Sequence, residues 1–343
     1  MKTEIIKIDS NNPEEDKLIY CSEILKNGGI VAFPTETVYG LGANVFNANA
    51  VQKIFTAKGR PNDNPLIVHI SSKSDLVNVV SNIPTDYQLF TEKFWPGPLT
   101  LVFDKHPNLP NIALANLSSV GVRQPDHPIA LGLIKHSGPL AAPSANISGK
   151  PSPTASDHVI EDLAGKIDCI IDGGTTRHGL ESTVFDIRQN KILRLGAITE
   201  SQLSSVTNVS VKLNLTKEEI KKPISPGQKY KHYAIDSPTT LVIGEQMATV
   251  KKILELTQNK NNVGILTTNS SLNYYNNSSA IVVSLGYEKN PHELAQNLYV
   301  TLRKFDKLKV THLFIEGLLQ KNDLYLSLMD RLIKAASYNI LTV

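Results

Sequence analysis

Five short stretches in the first two hundred residues gather groups able to bind anions. In Pro34-Thr35-Glu36-Thr37-Val38-Tyr39-Gly40-Leu41-Gly42, two threonine hydroxyls and one tyrosine hydroxyl can hold carboxylate or phosphate oxygens. Lys58-Gly59-Arg60 sets two cations one residue apart around a flexible glycine, so both can face one anion. The same pair would also suit the carboxyl end of a helix. Ser119, Arg123 and His127 form the third group, and an arginine at a strand end offers a two-pronged fork to a carboxylate. The fourth, Ala142-Pro143-Ser144-Ala145-Asn146-Ile147-Ser148-Gly149, continues through Ser152 and Thr154 and suits anion or ribose recognition. The fifth is Arg177 to Thr183, with Arg194 on a neighbouring strand. Each stretch taken alone is compatible with an ordinary loop; five in one domain point to a ligand site.

The sequence also narrows the chemistry by what it lacks. It contains no G-x-x-x-x-G-K-[ST] phosphate loop, no HExxH pair, no carboxylate cluster for a catalytic metal and no Gly-x-Ser-x-Gly elbow. A nucleotide site must therefore be assembled from scattered Lys, Arg, Ser and Asn side chains. The net charge of +3 is too small for a duplex-binding footprint, so attraction for anions is local. With only Cys21 and Cys169, neither a disulfide framework nor a cysteine zinc site can be built. No apolar run is long enough to span a bilayer and the first residues are no secretory signal, which predicts a cytoplasmic protein without membrane attachment.

The elements that must carry these groups read as α/β. At 343 residues the chain fits two such domains. Helical spacing is expected over 15–27, around 51–55, 85–94 and 129–136. Strands are expected at 30–33, 66–70, 99–103, 119–123, 169–172, 183–187 and 192–195, too many in succession for a purely parallel sheet. From about 207 to 237 neither period holds, which marks an interdomain linker. From 238 to 343 a smaller, doubly wound Rossmann-like pattern follows, with strands at 240–243, 263–267, 281–284 and 313–315 between helices at 247–256, 291–305 and 323–337. Ile243 is followed by a lone Gly244 rather than a glycine-rich fingerprint. This second domain is expected to bind no nucleotide.

In their order, these stretches resemble the threonylcarbamoyl-AMP synthases, whose core is the YrdC-like domain. The resemblance rests on PTETVYGLG at 34–42, KGRPNDNPL at 58–66, FWPGPLT at 94–100, VGVRQPDHP at 120–128, APSANISGKPSPT at 142–154 and HGLESTVFD at 178–186. SPGQKYKHYA at 225–234 and the 330–336 run resemble the longer, two-domain form. Departures are Gln228, where a Met is expected, and a 317–326 loop without the usual glycine-rich run.

The resemblance implies a YrdC-like twisted mixed sheet over 1–206, a linker and active-site lid over 207–237, and a smaller Rossmann-like domain over 238–343. It implies that L-threonine, bicarbonate and ATP, with Mg²⁺ carried by ATP, give threonylcarbamoyl-AMP and pyrophosphate. The product would pass to a downstream tRNA threonylcarbamoyl transferase, with no strong direct nucleic-acid binding. Lys58 and Arg60 take the catalytic role. Lys58, Asn62, Ser119, Ser144, Asn146, Thr154, Arg194, Tyr230 and Tyr233 face ATP, and Thr35, His69, Arg123 and Ser182 hold threonine. No protein metal ligand is implied. Two other classes stand beside this reading. An RNA-binding module would bind RNA without turning over ATP. A larger carbamoyl-transfer enzyme with an embedded YrdC-like domain would need zinc cysteines that this chain lacks.

Overall fold

Runs such as Ile67-Val68-His69 and Cys169-Ile170-Ile171 are too short for helices and too apolar for a surface. The computed structural model pairs them into sheets. It describes residues 2–206, 232–320 and 324–343. They fall in two units, Met1–Ser148 with Ser152–Tyr230, and Gly149–Pro151 with Lys231–Val343.

The first unit runs β1 (Glu4–Lys7), α1 (Glu15–Lys26), β2 (Val31–Phe33), β3 (Gly40–Asn44), α2 (Ala48–Lys58), β4 (Ile67–His69), α3 (Leu76–Val79), β5 (Val80–Asn82) and α4 (Tyr87–Phe94). It continues with β6 (Leu99–Lys105), β7 (Ser119–Arg123), α5 (Pro128–Ser137), β8 (Leu140–Ala141), α6 (Ser156–Leu163), β9 (Cys169–Asp172), β10 (Thr183–Asp186), β11 (Lys191–Arg194) and α7 (Glu200–Ser204). Among the described residues its strands make one 11-stranded sheet in the order β1-β9-β2-β3-β8-β4-β7-β6-β10-β11, with β5 beside β6. The sheet is mixed: β4 and β7 are parallel, as are β6 and β10, while β3, β8 and β4 alternate in direction.

Alternate side chains feed two cores, as the two-residue period of a strand demands. Val31 and Phe33 pack with α1 and α5 residues such as Leu18 and Leu133, whereas Ala32 joins Ile54, Phe55 and Phe90 on the other face. Strand residues buried on both faces explain why β2 and β9 read as continuous apolar runs.

Strands β1, β3, β5 and β8 were not expected from the sequence. The reason is clearest for β3, whose Gly40 and Gly42 lower strand propensity. Gly42 is required by packing. A Cβ there would lie 2.9 Å from the Phe33 ring and 3.1 Å from Leu140 Cδ1. Phe33 reaches the His69 ring at 6.3 Å, edge to face. Three strand spacings separate β2 from β4, about 14 Å in a flat sheet, so the sheet curls here.

The second unit runs β12 (Thr239–Ile243), α8 (Gln246–Thr257), β13 (Val263–Thr267), β14 (Ile281–Ser284), α9 (Pro291–Lys307), β15 (His312–Glu316), α10 (Leu324–Ala335) and β16 (Ile340–Thr342). Its five strands order as β14-β13-β15-β12-β16, and every pairing is parallel. The sequence reading lacked β16, a three-residue edge strand. Gly149–Pro151 belongs to this unit: Arg303 donates to the Pro151 carbonyl at 2.6 Å, and Ala234 N–H to the Gly149 carbonyl at 3.0 Å.

Overpacking a tight core site typically costs about 1–3 kcal/mol. Gly42→Ala is therefore expected to lower stability by that amount in denaturant unfolding, because its Cβ would press on both Phe33 and Leu140. An unchanged midpoint would show that Phe33 is free to move.

Candidate active site

Helix α2 fixes Lys58. The Asn47 side chain caps its start by accepting from Ala50 N–H at 3.1 Å, and Gly59 ends it in the left-handed region at φ 59°. Lys58 is 2% exposed, and its ammonium donates to the carbonyls of Ser144 at 2.6 Å and Asn146 at 2.5 Å. It is no surface cation decorating a helix end. It clamps the 144–146 loop, which Tyr39 and Leu41 also hold through backbone bonds to Ala145 and Pro143. Arg60 is spent partly on its own loop, donating to the Asn64 and Pro65 carbonyls.

The turn after β2 is locked by Thr35. Its hydroxyl accepts from the Thr37 and Val38 N–H groups and lies 2.6 Å from the Val38 carbonyl, to which it donates. Next to it sits a residue to which the sequence reading gave no role. The Glu36 carboxylate is 1% exposed and meets Arg123 Nη2 at 2.6 Å. Arg123 Nε donates to the Gly97 carbonyl at 3.2 Å. Its remaining Nη makes no hydrogen bond among the described residues. A glutamate between two threonines at the exit of a buried strand was the available signal for this pair.

Strand register gathers the rest. His69 pairs with Arg123 across β4 and β7, and Thr183 pairs with Leu99 across β10 and β6. Ser182, just before β10, shares a 2.8 Å hydroxyl contact with Thr100, and Arg194 donates to the Ser182 carbonyl at 2.9 Å and hydroxyl at 3.1 Å. Burial first, then the charges of Arg123 and Arg194, pushes the His69 imidazole down to about 3, although its contact with the Ile67 carbonyl acts the other way. His69 is thus held neutral near neutral pH. Tyr39, fully buried, donates to the Gly174 carbonyl at 2.6 Å, and burial pushes its phenol up.

The remaining candidates have their own surroundings. Ser119 opens β7, about 13 Å along the strand from Arg123. Asn62 is exposed and contacts Gln52 at 3.4 Å. Thr154 is buried, and its N–H donates to His158 Nδ1. Ser152 donates to the buried Glu181 at 2.6 Å. Tyr233 is packed in the second unit, stacked on Tyr299 at 5.2 Å with the Arg331 guanidinium 5.8 Å from its ring. Tyr230 and the linker residues 207–231 lie outside the described residues. No group of three or more His, Cys, Asp or Glu residues placed to hold a metal occurs among the described residues, and none of their helices is long and apolar enough to cross a membrane.

Arranged this way, the strand ends offer several donors and cations, a neutral histidine and one internal carboxylate counter-charge. That suits oxyanion binding and charge neutralisation more than attack by a protein nucleophile.

The His69 shift carries a pH consequence. An unfolded histidine takes up its proton near 6.5, whereas the folded one waits until about 3. Between those values the unfolded state binds more protons, so stability falls as pH falls, at up to about 1.4 kcal/mol per pH unit. His69→Gln is expected to flatten that loss between pH 6 and 4 in denaturant titrations. Parallel curves for both proteins would show that His69 is not buried neutral.

Residues 23–196 match the Sua5, YciO and YrdC family model, described as telomere recombination, and residues 198–337 match the threonylcarbamoyl-AMP synthase C-terminal domain. The chain is 42% identical over 340 residues to the threonylcarbamoyl-AMP synthase of Bacillus subtilis, covering 98% of this chain and 96% of that protein. It is also 42% identical over 338 residues to the protein of that name from Pyrococcus abyssi, covering 96% of this chain and 97% of that one. The crystal structure of P. abyssi Sua5 complexed with L-threonine superposes with a TM-score of 0.90 at 41% identity, covering 99% of this chain and 100% of that one.

Proposed function

The chain belongs to the Sua5, YciO and YrdC family and carries the C-terminal domain of the threonylcarbamoyl-AMP synthases, and on that premise we propose that it makes threonylcarbamoyl-AMP from L-threonine, bicarbonate and ATP. The observation that supports this most directly is the strand-end network in which Arg123, His69, Ser182 and Arg194 converge, in the same unit as the Lys58 clamp on the 144–146 loop.

In this reading the threonine amine captures carbon dioxide as a carbamate. A carbamate oxygen then attacks the α-phosphorus of ATP, the bond to the β-phosphate oxygen breaks, and pyrophosphate leaves with its charge. Mg²⁺ arrives with ATP as part of the substrate. The protein's work is positioning and neutralisation. The free Nη of Arg123 takes the threonine carboxylate, and Glu36 keeps that guanidinium aimed. Thr35, Ser182 and neutral His69 line the amino-acid pocket. Lys58 and Arg60 are the catalytic cations toward the phosphates, Lys58 also ordering the loop that carries Ser144 and Asn146. Asn62, Ser119, Thr154 and Arg194 complete the nucleotide set proposed here. From the linker, Tyr230 is the nucleotide contact we retain. The Tyr233 ring stacks on Tyr299 with the Arg331 guanidinium beside it. The product, a mixed anhydride, serves modification of a tRNA adenosine by a separate transferase.

Incubation with ATP, threonine and bicarbonate is expected to release pyrophosphate and an AMP-linked product, seen by mass, only when both co-substrates are present. ADP and phosphate as products would mean attack at the γ-phosphate and would sink the assignment.

Arg123→Ala would strand Glu36, so the carboxylate contact is better probed through the ligand. Threoninamide is expected to bind about 2–5 kcal/mol more weakly than threonine by calorimetry, the range for loss of a buried charge contact. Equal affinities would remove Arg123 from that role.

A further inference from the structure

The second unit contains a buried carboxylate that the proposed reaction does not use. Glu316, the last residue of β15, is 9% exposed. Ser271 donates to its Oε1 at 2.6 Å, while Thr267 and the Tyr275 hydroxyl donate to Oε2 at 2.5 and 3.3 Å. These donors are neutral, and Glu316 forms no ion pair among the described residues.

Glu316 lines a cavity at the carboxyl ends of β12, β13 and β15, three neighbours in the sheet. Open parallel sheets bind ligands at this edge. A second carboxylate, Glu288, lines the same cavity, together with Thr249 and Thr268, and among the described residues no Lys, Arg or His does. Thr249 is 1% exposed, and its hydroxyl has no hydrogen-bond partner. Buried hydroxyls are ordinarily satisfied, so an orphan on a residue that lines a cavity points to a missing partner. The space open to the centre of a water-sized body is about 10 Å³. That is room for roughly one such body.

We propose that this cavity binds a single monovalent cation of the potassium type, with Glu316, Glu288 and the Thr249 hydroxyl supplying oxygens. Charge selects a cation, because two carboxylates line the space and no basic side chain among the described residues does. Size removes nucleotides and organic amines larger than ammonium. It also removes hydrated Mg²⁺, which sheds its waters reluctantly. A weakly hydrated monovalent ion, by contrast, exchanges its shell for protein oxygens readily. A lone water would satisfy Thr249 but leave both carboxylates uncompensated. Without a cation, burial and then the nearby Glu288 push the Glu316 carboxyl up, while its three hydroxyl donors pull the other way. This agrees with a site that lacks its counter-charge.

The test uses the full chain. Its thermal midpoint is measured in potassium chloride against choline chloride at equal ionic strength, since choline cannot enter. Potassium is expected to raise the midpoint by roughly 3–8 °C when well above its dissociation constant. Glu316→Gln and Thr249→Val should each remove most of that increment. Should Glu316→Gln fail to fold, Glu288→Gln, at a half-buried position, carries the same expectation. Crystals soaked in thallium should show an anomalous peak between Glu316 and Glu288. Equal midpoints in the two salts, an increment that survives these substitutions, or a cavity holding only water would overturn the proposal.

Discussion

A carboxylate and a guanidinium, both almost wholly out of water, meet at 2.6 Å where the loop after β2 crosses to the end of β7. Breaking such a pair by removing one partner typically costs about 3–5 kcal/mol, because the survivor is left buried and unbalanced. The first unit is organised around keeping Glu36 and Arg123 together. Thr35 locks the turn that presents Glu36, and the Glu36 carbonyl accepts from His178 N–H at 2.7 Å, tying in the loop before β10. The Gly97 carbonyl orients Arg123. Gly42 leaves room for the Phe33 ring beneath this turn. The same guanidinium then helps hold His69 neutral. One member of the ion pair thus adds to the burial that keeps its neighbour neutral.

Lys58 solves a different problem by the same means. Its buried ammonium donates to two backbone carbonyls, those of Ser144 and Asn146, and so ties its charge to the loop it holds. Carbonyl dipoles stabilise the ion. A site that must bind anions gains from cations that are fixed in place. Glu36 is the counterweight to Arg123.

How much of this was legible depended on what carried the information. Apolar strands with bulky residues, such as β4, β9 and β13, announced themselves, as did the parallel pattern of the second unit. Strand β3 did not, because its glycines are chosen for what presses on them, the Phe33 ring, and this is a tertiary fact. Strand β8 has two residues and no pattern of its own. The polar stretches were visible by type, and Lys58, Ser144 and Asn146 do come together. Their partners were not visible. That the Lys58 ammonium faces carbonyls, that Glu36 is the mate of Arg123, and that Ser119 sits at the far end of its strand all depend on register, which composition does not encode. Tyr233 is a similar case: its place in a linker without period set it in a lid, and the sequence does not show that its ring is stacked on Tyr299.

The lone Gly244 after β12 shows how a fold can keep its architecture and lose a ligand class. In a dinucleotide fold the glycines after the first strand let a pyrophosphate approach the backbone. Here the space over Gly244 is filled by the chain itself. A Cβ at this position would lie 2.4 Å from the Val343 carbonyl oxygen and 2.7 Å from a Val343 methyl group. The Val343 N–H in turn donates to the Ile243 carbonyl, extending the β16 pairing past the end of the strand. The glycine is needed for close approach, as in the nucleotide folds, but the approaching group is the protein's own backbone. Glu245 completes the substitution by capping α8, its carboxylate accepting from the Met247 and Ala248 N–H groups. The anion that a phosphate would have supplied at that helix start is already present as a side chain. With both features of a phosphate site occupied from within, what remains at the strand ends is the small acidic cavity around Glu316, and its charge selects against phosphate.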